Sequence, residues 1–149
     1  MAACAAVREA VGNLAEAGAD VVGANGLLLR VCAYYHDLGK LVKPEYFVEN
    51  QRGANPHDSL SPSMSALVIQ SHVKEGLEIA REAKLPLPIR QAIATHRCTK
   101  LIRFFFNKAQ ERNEKDKTEV RESDYRYAGP KPHTMELGIL LLADAVEAA

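Results

Sequence analysis

The chain has 149 residues, a length typical of one domain of roughly 100–200 residues. Its 47% hydrophobic and 26% charged residues are the balance of a folded globular protein and exclude an intrinsically disordered chain. The 19 basic and 19 acidic residues give no net charge, which argues against a broad basic surface for duplex nucleic acid or anionic lipid. We predict a single domain over residues 1–149.

The three cysteines, Cys4, Cys32 and Cys98, are far apart in the sequence and form no CxxC pair. An odd, dispersed set is typical of a reducing compartment rather than of a disulfide framework. The best apolar stretch, residues 137–143, is far shorter than the ~18 residues that a membrane helix needs. We therefore expect a cytoplasmic chain that does not itself span a membrane.

The first part of the chain shows helical periodicity. Apolar residues recur at three- and four-residue steps over residues 7–21 and predict one helix, with Gly23 and Asn25-Gly26 as its stop and turn. A second helix is predicted from Leu27 to about Asp37, and residues 49–59 are turn-rich and predict a loop. The apolar stripe of the first helix would consist of Val7, Val11, Leu14, Gly18 and Val21.

The second part is helical as well. Ser61-Pro62 predicts a helix N-terminus, and the helix would end near Leu85. Further helices are predicted from Pro88 to about His96, over roughly residues 99–112, and after Thr134 as N-cap. Residues 113–132 are charged and then turn-rich, which predicts a solvated flap or connection. The fold class is therefore all-α. The apolar residues of the helix after Ser61 are Met64, Leu67, Val68, Leu77 and Ala80.

His36 and Asp37, at the predicted end of the second helix, give the densest chemical signal. Imidazole and carboxylate side by side can ligate one ion, or the carboxylate can bridge two, and together they suit Zn, Mn, Fe or Ni. Alternatively, His36 helps to satisfy the last carbonyl groups of the helix. His72 within its helix and His96 at the end of its helix are each either packed residues or ligands.

Asp144 interrupts an apolar stretch in the last helix, where a buried carboxylate needs a partner. That partner is a metal ion or, equally well, a lysine or arginine. Taken together, the histidines and aspartates on four separate helices favour a metal site in the core of a bundle. Lys40, three residues after Asp37, is either a charge suited to phosphate or a solvated lysine.

Other candidate residues favour structural roles. His57-Asp58 lies in a loop and predicts an Asx turn, and His133 is predicted to face solvent. Cys32 and Cys98 have no base at an obvious spacing and are predicted to be packed thiols. The three phenylalanines at 104–106 favour helix contacts over a stacking platform for bases.

The sequence Tyr-Tyr-His-Asp-Leu-Gly-Lys at residues 34–40, followed by His72, His96 and Asp144, resembles the HD superfamily of metal-dependent phosphohydrolases. Longer segments are similar to the cytoplasmic HD domain of seven-transmembrane HD receptors. These segments are residues 44–47, 49–51, 55–62, 71–73, 104–109, 125–127, 129–132 and 142–148.

The resemblance implies an HD-domain helical bundle that hydrolyses cyclic di-AMP to the linear dinucleotide pApA. The attacking group would be a metal-activated water or hydroxide at two divalent ions, Mn or Fe. Asp37 would bridge the two ions. His36 and Asp144 would hold one of them, and His72 and His96 the other. Lys40 would act with Asp37 in catalysis by neutralising charge on the phosphate.

The chain departs from the family pattern at two positions. Val7 stands where the family has a histidine in the first helix, and Arg97 stands where the family has a second histidine after His96. Each change removes one expected ligand, so three protein ligands would remain per ion, with Asp37 counted twice. Arg97 is instead a candidate to bind substrate phosphate.

Two alternatives to this enzyme stay open at the level of sequence. The first is a degenerate HD module that binds a nucleotide or a partner domain without hydrolysis, which Val7 and Arg97 favour. The second is an HD phosphohydrolase that acts on another nucleotide or phosphate ester, because metal ligands specify the chemistry and the surrounding loops specify the substrate. We expect the chain to be part of a longer inner-membrane receptor, and a homodimer is compatible with the sequence.

Overall fold

In the computed structural model, the described residues form six α-helices and several short 3-10 turns. The model describes the backbone of residues 2–116 and 119–148, and the side chains of these residues except 2–4 and 114–116. The helices are α1 (Ala2–Val22), α2 (Gly26–Tyr35), α3 (Pro62–Glu82), α4 (Leu87–Thr95), α5 (Arg103–Asp116) and α6 (Met135–Glu147). Within the described ranges, β-pairing is limited to an isolated bridge between Leu101 and Arg126. The all-α prediction is confirmed.

Polar side chains cap three helices where the chain turns. The side chain of Asn25 accepts a hydrogen bond from the backbone N–H of Leu28 and so caps α2. Ser61 caps α3 and Thr134 caps α6 in the same way, as their sequence positions predict. These caps set the starts of three of the helices that carry the histidines and aspartates of interest.

The main core forms where α1 packs against α2 and α6, and α4 closes the same cluster. On α1 the buried residues include Val11, Ala15 and Ala19, whereas Leu14 is 42% and Val21 is 85% exposed. The predicted stripe is therefore wrong at Leu14 and Val21. The alanines face the neighbouring helices because a small side chain lets two helix backbones approach closely.

On α3, too, small residues are buried while large apolar residues are exposed. Met64 and Leu67 are exposed, and the buried face instead carries Ser65, Ala66 and His72, followed by Gly76 and Ala80. A second cluster lies at the start of α3 and joins it to α5. The buried members of that cluster are Ala66, Phe105, Ala109 and Tyr125.

A close backbone contact locks the end of α2 against α3. After α2 the chain makes a 3-10 turn over Leu38–Leu41, in which Gly39 lies against the backbone of His72 and Gly76. A Cβ at position 39 would lie 1.8 Å from the carbonyl oxygen of His72. Only glycine fits at this position, and the contact holds Asp37 next to His72.

Two predicted boundaries differ from the structure. Helix α5 begins at Arg103 rather than near Thr99, because Cys98 adopts a left-handed backbone with φ of 49° and Leu101 pairs with Arg126. The 113–132 segment is divided: residues 113–116 continue α5, while Tyr125 and Tyr127 are buried. Part of the predicted flap thus packs onto the body of the protein.

Candidate metal centre

Three buried histidines share one hydrogen-bond pattern. The Nδ1 atoms of His36, His72 and His96 lie 2.7, 2.6 and 2.8 Å from the backbone oxygens of Ala33, Ile69 and Ile93 respectively. Each carbonyl can only accept, so each Nδ1 carries the proton and donates it. In a neutral ring this leaves the lone pair on Nε2, the atom that binds a metal. The local helix geometry therefore orients all three rings as ligands.

The Nε2 atoms of His72 and His96 converge on one oxygen of Asp37. Each lies 3.4 Å from Asp37 Oδ1, and they lie 3.2 Å from each other. Two ligand atoms about 2.0–2.2 Å from a single ion are about 3.3–3.6 Å apart at the tetrahedral angle. Lone pairs facing one another at these distances repel unless a cation or a proton lies among them, so this group fits a divalent ion.

A second group shares Asp37 through its other oxygen. His36 Nε2 lies 3.3 Å from Asp37 Oδ2 and 3.5 Å from Asp144 Oδ1. All three side chains are buried, and His36 Nε2 has no hydrogen-bond partner among the described residues. This group also needs a positive charge. The ligand atoms within each of the two groups lie within 4.8 Å of one another.

Two protein cations already contact the carboxylates of the centre. Lys40 Nζ lies 2.6 Å from Asp37 Oδ2 and 2.6 Å from Glu49 Oε1. The Nη1 of Arg97 lies 3.0 Å from Asp144 Oδ2, and its Nη2 lies 3.8 Å from Asp37 Oδ1. Arginine, one of the predicted partners of Asp144, therefore contacts it in the structure.

Burial and charge shift the pKa values of this cluster in opposite directions. Burial disfavours the charged ring of His36, but Asp37 and Asp144 outweigh it and raise its pKa to about 9. Burial lowers the pKa of His96 to about 4. Burial opposes ionisation of Asp144, yet the contact with His36 and the charge of Arg97 bring its pKa to about 2. In the metal-free protein the carboxylates are thus ionised and His96 is neutral, as a ligand must be.

Replacing Lys40 with methionine is expected to destabilise the metal-free protein by about 3–5 kcal/mol, because Asp37 and Glu49 lose their shared buried cation. Urea unfolding of chelator-treated protein measures the change. Lys43→Met is the control, because Lys43 pairs with Glu75 at a more exposed site and should cost at most about 1 kcal/mol. Equal losses in the two variants would contradict a structural role for the Lys40 pairs.

A cleft of about 400 Å³ opens onto the centre. Its wall includes Asp37, Lys40 and Asp144 together with Val7 and Arg97. The five residues predicted as metal ligands, His36, Asp37, His72, His96 and Asp144, thus come together beside both predicted phosphate-binding residues. The two positions that depart from the family pattern line the same cleft.

Sequence reasoning gave no role to three residues at the centre. Glu49 shares Lys40 with Asp37, Phe47 packs edge-on to His72 at 5.6 Å, and Tyr127 does so at 6.0 Å. Burial raises the pKa of the Tyr127 hydroxyl to about 12. The charge of Arg97 opposes this increase, and the charges of Asp37 and Asp144 add to it. All three lie in loops or turns, where no periodicity could mark them.

The remaining histidines lie outside the centre. The side chain of Asn55 accepts a hydrogen bond from the backbone N–H of His57, which is the predicted Asx turn. His57 itself is buried, with Nε2 2.9 Å from the backbone oxygen of Tyr46, so its ring packs against the loop that contains Glu49. His133 is exposed, as predicted.

The sequence matches a known protein family over most of its length. The HD domain family matches residues 9–149 of the chain. The chain belongs to the HD domain family. HD domains bind divalent metal ions, and the two groups of ligand atoms around Asp37 are the candidates for this role.

Curated relatives of this HD domain are longer proteins. It is 51% identical over 140 residues to the cyclic-di-AMP phosphodiesterase PgpH of Listeria monocytogenes and 47% identical to PgpH of Bacillus subtilis. An uncharacterised protein of Synechocystis is 42% identical. Each alignment covers 93% of this chain but only 18–19% of the relative, so the chain spans about a fifth of the relatives it matches.

Solved structures agree with the fold of this HD domain. The PgpH HD domain of L. monocytogenes in complex with cyclic-di-AMP superposes with a TM-score of 0.92 at 48% identity. The same domain in another crystal structure gives 0.90 at 47%. Both matches cover 99% of this chain and 68% of the other. Among the described residues, no helix is both long and apolar enough to cross a bilayer.

Proposed function

We propose that this HD domain is a metal-dependent phosphodiesterase that hydrolyses cyclic di-AMP to pApA. The observation that carries the proposal is the buried triangle of Asp37, His72 and His96, in a chain 51% identical to a cyclic-di-AMP phosphodiesterase. The cleft beside this centre carries two cations, Lys40 and Arg97, which suit a substrate with phosphate oxygens.

Asp37, His72 and His96 would hold a divalent ion, for which Mn or Fe suits the mixture of imidazole and carboxylate. When bound, the ion would polarise the phosphodiester and lower the pKa of the attacking water. His36 and Asp144, with the other oxygen of Asp37, form the neighbouring group that requires a second positive charge. That charge comes from a second ion or from the protein.

The residues of the chain bind and orient the phosphate. Lys40 and Arg97 line the cleft and carry permanent positive charge, so they attract a phosphodiester and balance the charge that grows at phosphorus. Attack by water would break one bond between phosphorus and a 3′-oxygen. The products would be a 5′-phosphate and a free 3′-hydroxyl, which together define pApA.

The turnover test uses chelator-treated protein reloaded with Mn²⁺ or Fe²⁺ and incubated with cyclic di-AMP. Chromatography with mass spectrometry is expected to show pApA as the product, and EDTA is expected to abolish its formation. Cyclic di-GMP and a simple phosphomonoester serve as competing substrates. Preferential turnover of either would replace the proposal with a phosphohydrolase of different specificity.

A second candidate function is a module that binds the nucleotide without hydrolysing it. The ion pair between Arg97 and Asp144 favours this candidate, because it neutralises a carboxylate that would otherwise hold an ion. Calorimetric binding of cyclic di-AMP without any pApA would support it. We further propose that the full-length protein is membrane-anchored with this domain in the cytoplasm.

A further inference from the structure

The two ligand groups that share Asp37 differ in how their carboxylate oxygens are occupied. Asp37 Oδ1, in the first group, has no hydrogen bond from any described residue, and its contact with Arg97 Nη2 is long at 3.8 Å. In the second group, Asp37 Oδ2 faces Lys40 at 2.6 Å and Asp144 Oδ2 faces Arg97 at 3.0 Å. Protein cations thus contact both carboxylates of the second group.

The position of Arg97 is set by the fold. His96 ends α4 as its C-cap, and the backbone N–H of Cys98 donates to Thr95 at 2.9 Å, which makes a tight turn around Arg97. The side chain is only 14% exposed and is held between Asp144 and Asp37. A guanidinium is always protonated in proteins, so Arg97 neutralises the carboxylate of Asp144 through its Oδ2, and its charge repels a divalent ion bound at the same carboxylate.

Among the described residues of the first helix, the one that lines the cleft offers no compensating ligand. Val7 lines the same cleft as Asp144 and has no lone pair to donate. The second group therefore has three ligand atoms, two of them on carboxylates already paired with cations, and does not fit a divalent ion as well as the first group. The first group is a near-equilateral triangle of 3.2, 3.4 and 3.4 Å.

We infer that Arg97 takes the place of a second metal ion, so that this HD domain binds one divalent ion, at Asp37, His72 and His96. Asp144 is then a partner of Arg97 rather than a metal ligand, and His36 is a partner of the two carboxylates. The inference rests on the proposed function only for the presence of the first ion. It assigns the second positive charge of the centre to the protein.

The test is the stoichiometry of Mn²⁺, measured without substrate. The whole chain is stripped with chelator, reloaded with excess Mn²⁺, separated from free ion and analysed by elemental mass spectrometry. One ion per chain is expected, with the electron paramagnetic resonance spectrum of isolated Mn²⁺. Two ions per chain with a spin-coupled spectrum, or none, would overturn the inference.

Three variants test the roles of Arg97, Asp144 and His72 through their metal content. Arg97→His removes the cation from Asp144, and is expected to raise the content to two ions per chain. Asp144→Asn is expected to keep one ion, whereas His72→Ala is expected to lose it. Loss of the ion in Asp144→Asn, with unchanged circular dichroism, would contradict the assignment of Asp144.

The metal count and the turnover assay separate the two proposals. One ion with no pApA would leave the role of Arg97 standing and remove the proposed hydrolysis. Two ions with pApA formation would do the opposite. Because the wild-type measurement alone decides the stoichiometry, a variant that fails to fold does not change the conclusion.

Discussion

Asp37→Asn is expected to abolish turnover and to weaken Mn²⁺ binding by more than ~100-fold, a larger loss than removal of a residue that only supports a ligand. Asp37 is 2% exposed, and its two oxygens face His36, His72 and His96 as well as Lys40. Among the described residues, no other carboxylate joins the two ligand groups. Metal titration by calorimetry and the pApA assay measure the two effects.

The same variant should also be less stable without metal. With the carboxylate neutralised, Lys40 and Arg97 lose a negative partner in a buried site, at a cost of about 3–5 kcal/mol. Asp58→Asn is the matched control, because Asp58 belongs to the other His-Asp pair and is exposed in its loop. Normal metal affinity in Asp37→Asn, or an equal effect in Asp58→Asn, would show that Asp37 is not a ligand.

Gly39→Ala is expected to destabilise the protein by about 3 kcal/mol or more, at the upper end of the usual cost of overpacking. Its new Cβ would lie 1.8 Å from the carbonyl oxygen of His72 and 2.5 Å from the backbone nitrogen of Gly76. Backbone atoms cannot move aside as a flexible side chain does, so the turn after α2 must separate from α3. The midpoint of urea unfolding measures the loss.

Gly138→Ala is the control for Gly39→Ala. Gly138 lies inside α6, where an added Cβ would meet no described atom within 4 Å. Alanine there is expected to stabilise the protein by about 0.5–1 kcal/mol, because glycine loses more backbone entropy in a helix. A mild effect of Gly39→Ala, similar in size to that of Gly138→Ala, would refute the close packing of the turn on α3.

The packing of Gly39 on α3 also sets the distance between Asp37 and His72, and therefore has a functional consequence. The turn over Leu38–Leu41 is only two residues beyond His36, and Gly39 contacts the same residue, His72, whose ring faces Asp37. If the turn shifts, the triangle of ligand atoms opens. We therefore expect metal affinity to fall together with stability in Gly39→Ala, although position 39 carries no ligand.

Much of the candidate site could be predicted from the sequence. Polar residues on apolar helices need partners, which distinguishes five residues in the sequence, and the structure brings all five together: His36, Asp37, His72, His96 and Asp144. The helix starts at Ser61 and Thr134 were also predictable, because capping is a local interaction between a side chain and a nearby N–H group. These features depend on short stretches of sequence.

The helix faces and the start of α5 were less predictable. Leu14, Val21, Met64 and Leu67 have the period of a buried stripe and are nevertheless exposed. Small residues on neighbouring positions, such as Ala15, face the core instead. Hydrophobic periodicity predicts which side chains are buried from their polarity alone. Where two helices pack closely, the size of the side chain also decides which residues fit in the interface.

The sequence by itself determined the helices, their caps and the set of side chains able to bind a metal, because these follow from local hydrogen bonding and residue chemistry. Only the tertiary structure decided which carboxylate each cation contacts. Arg97 meets Asp144 across 47 positions of the chain, and Lys40 is shared by Asp37 and Glu49. Ion pairs between separate elements depend on how the helices pack, and the charge of the centre is set by those pairs.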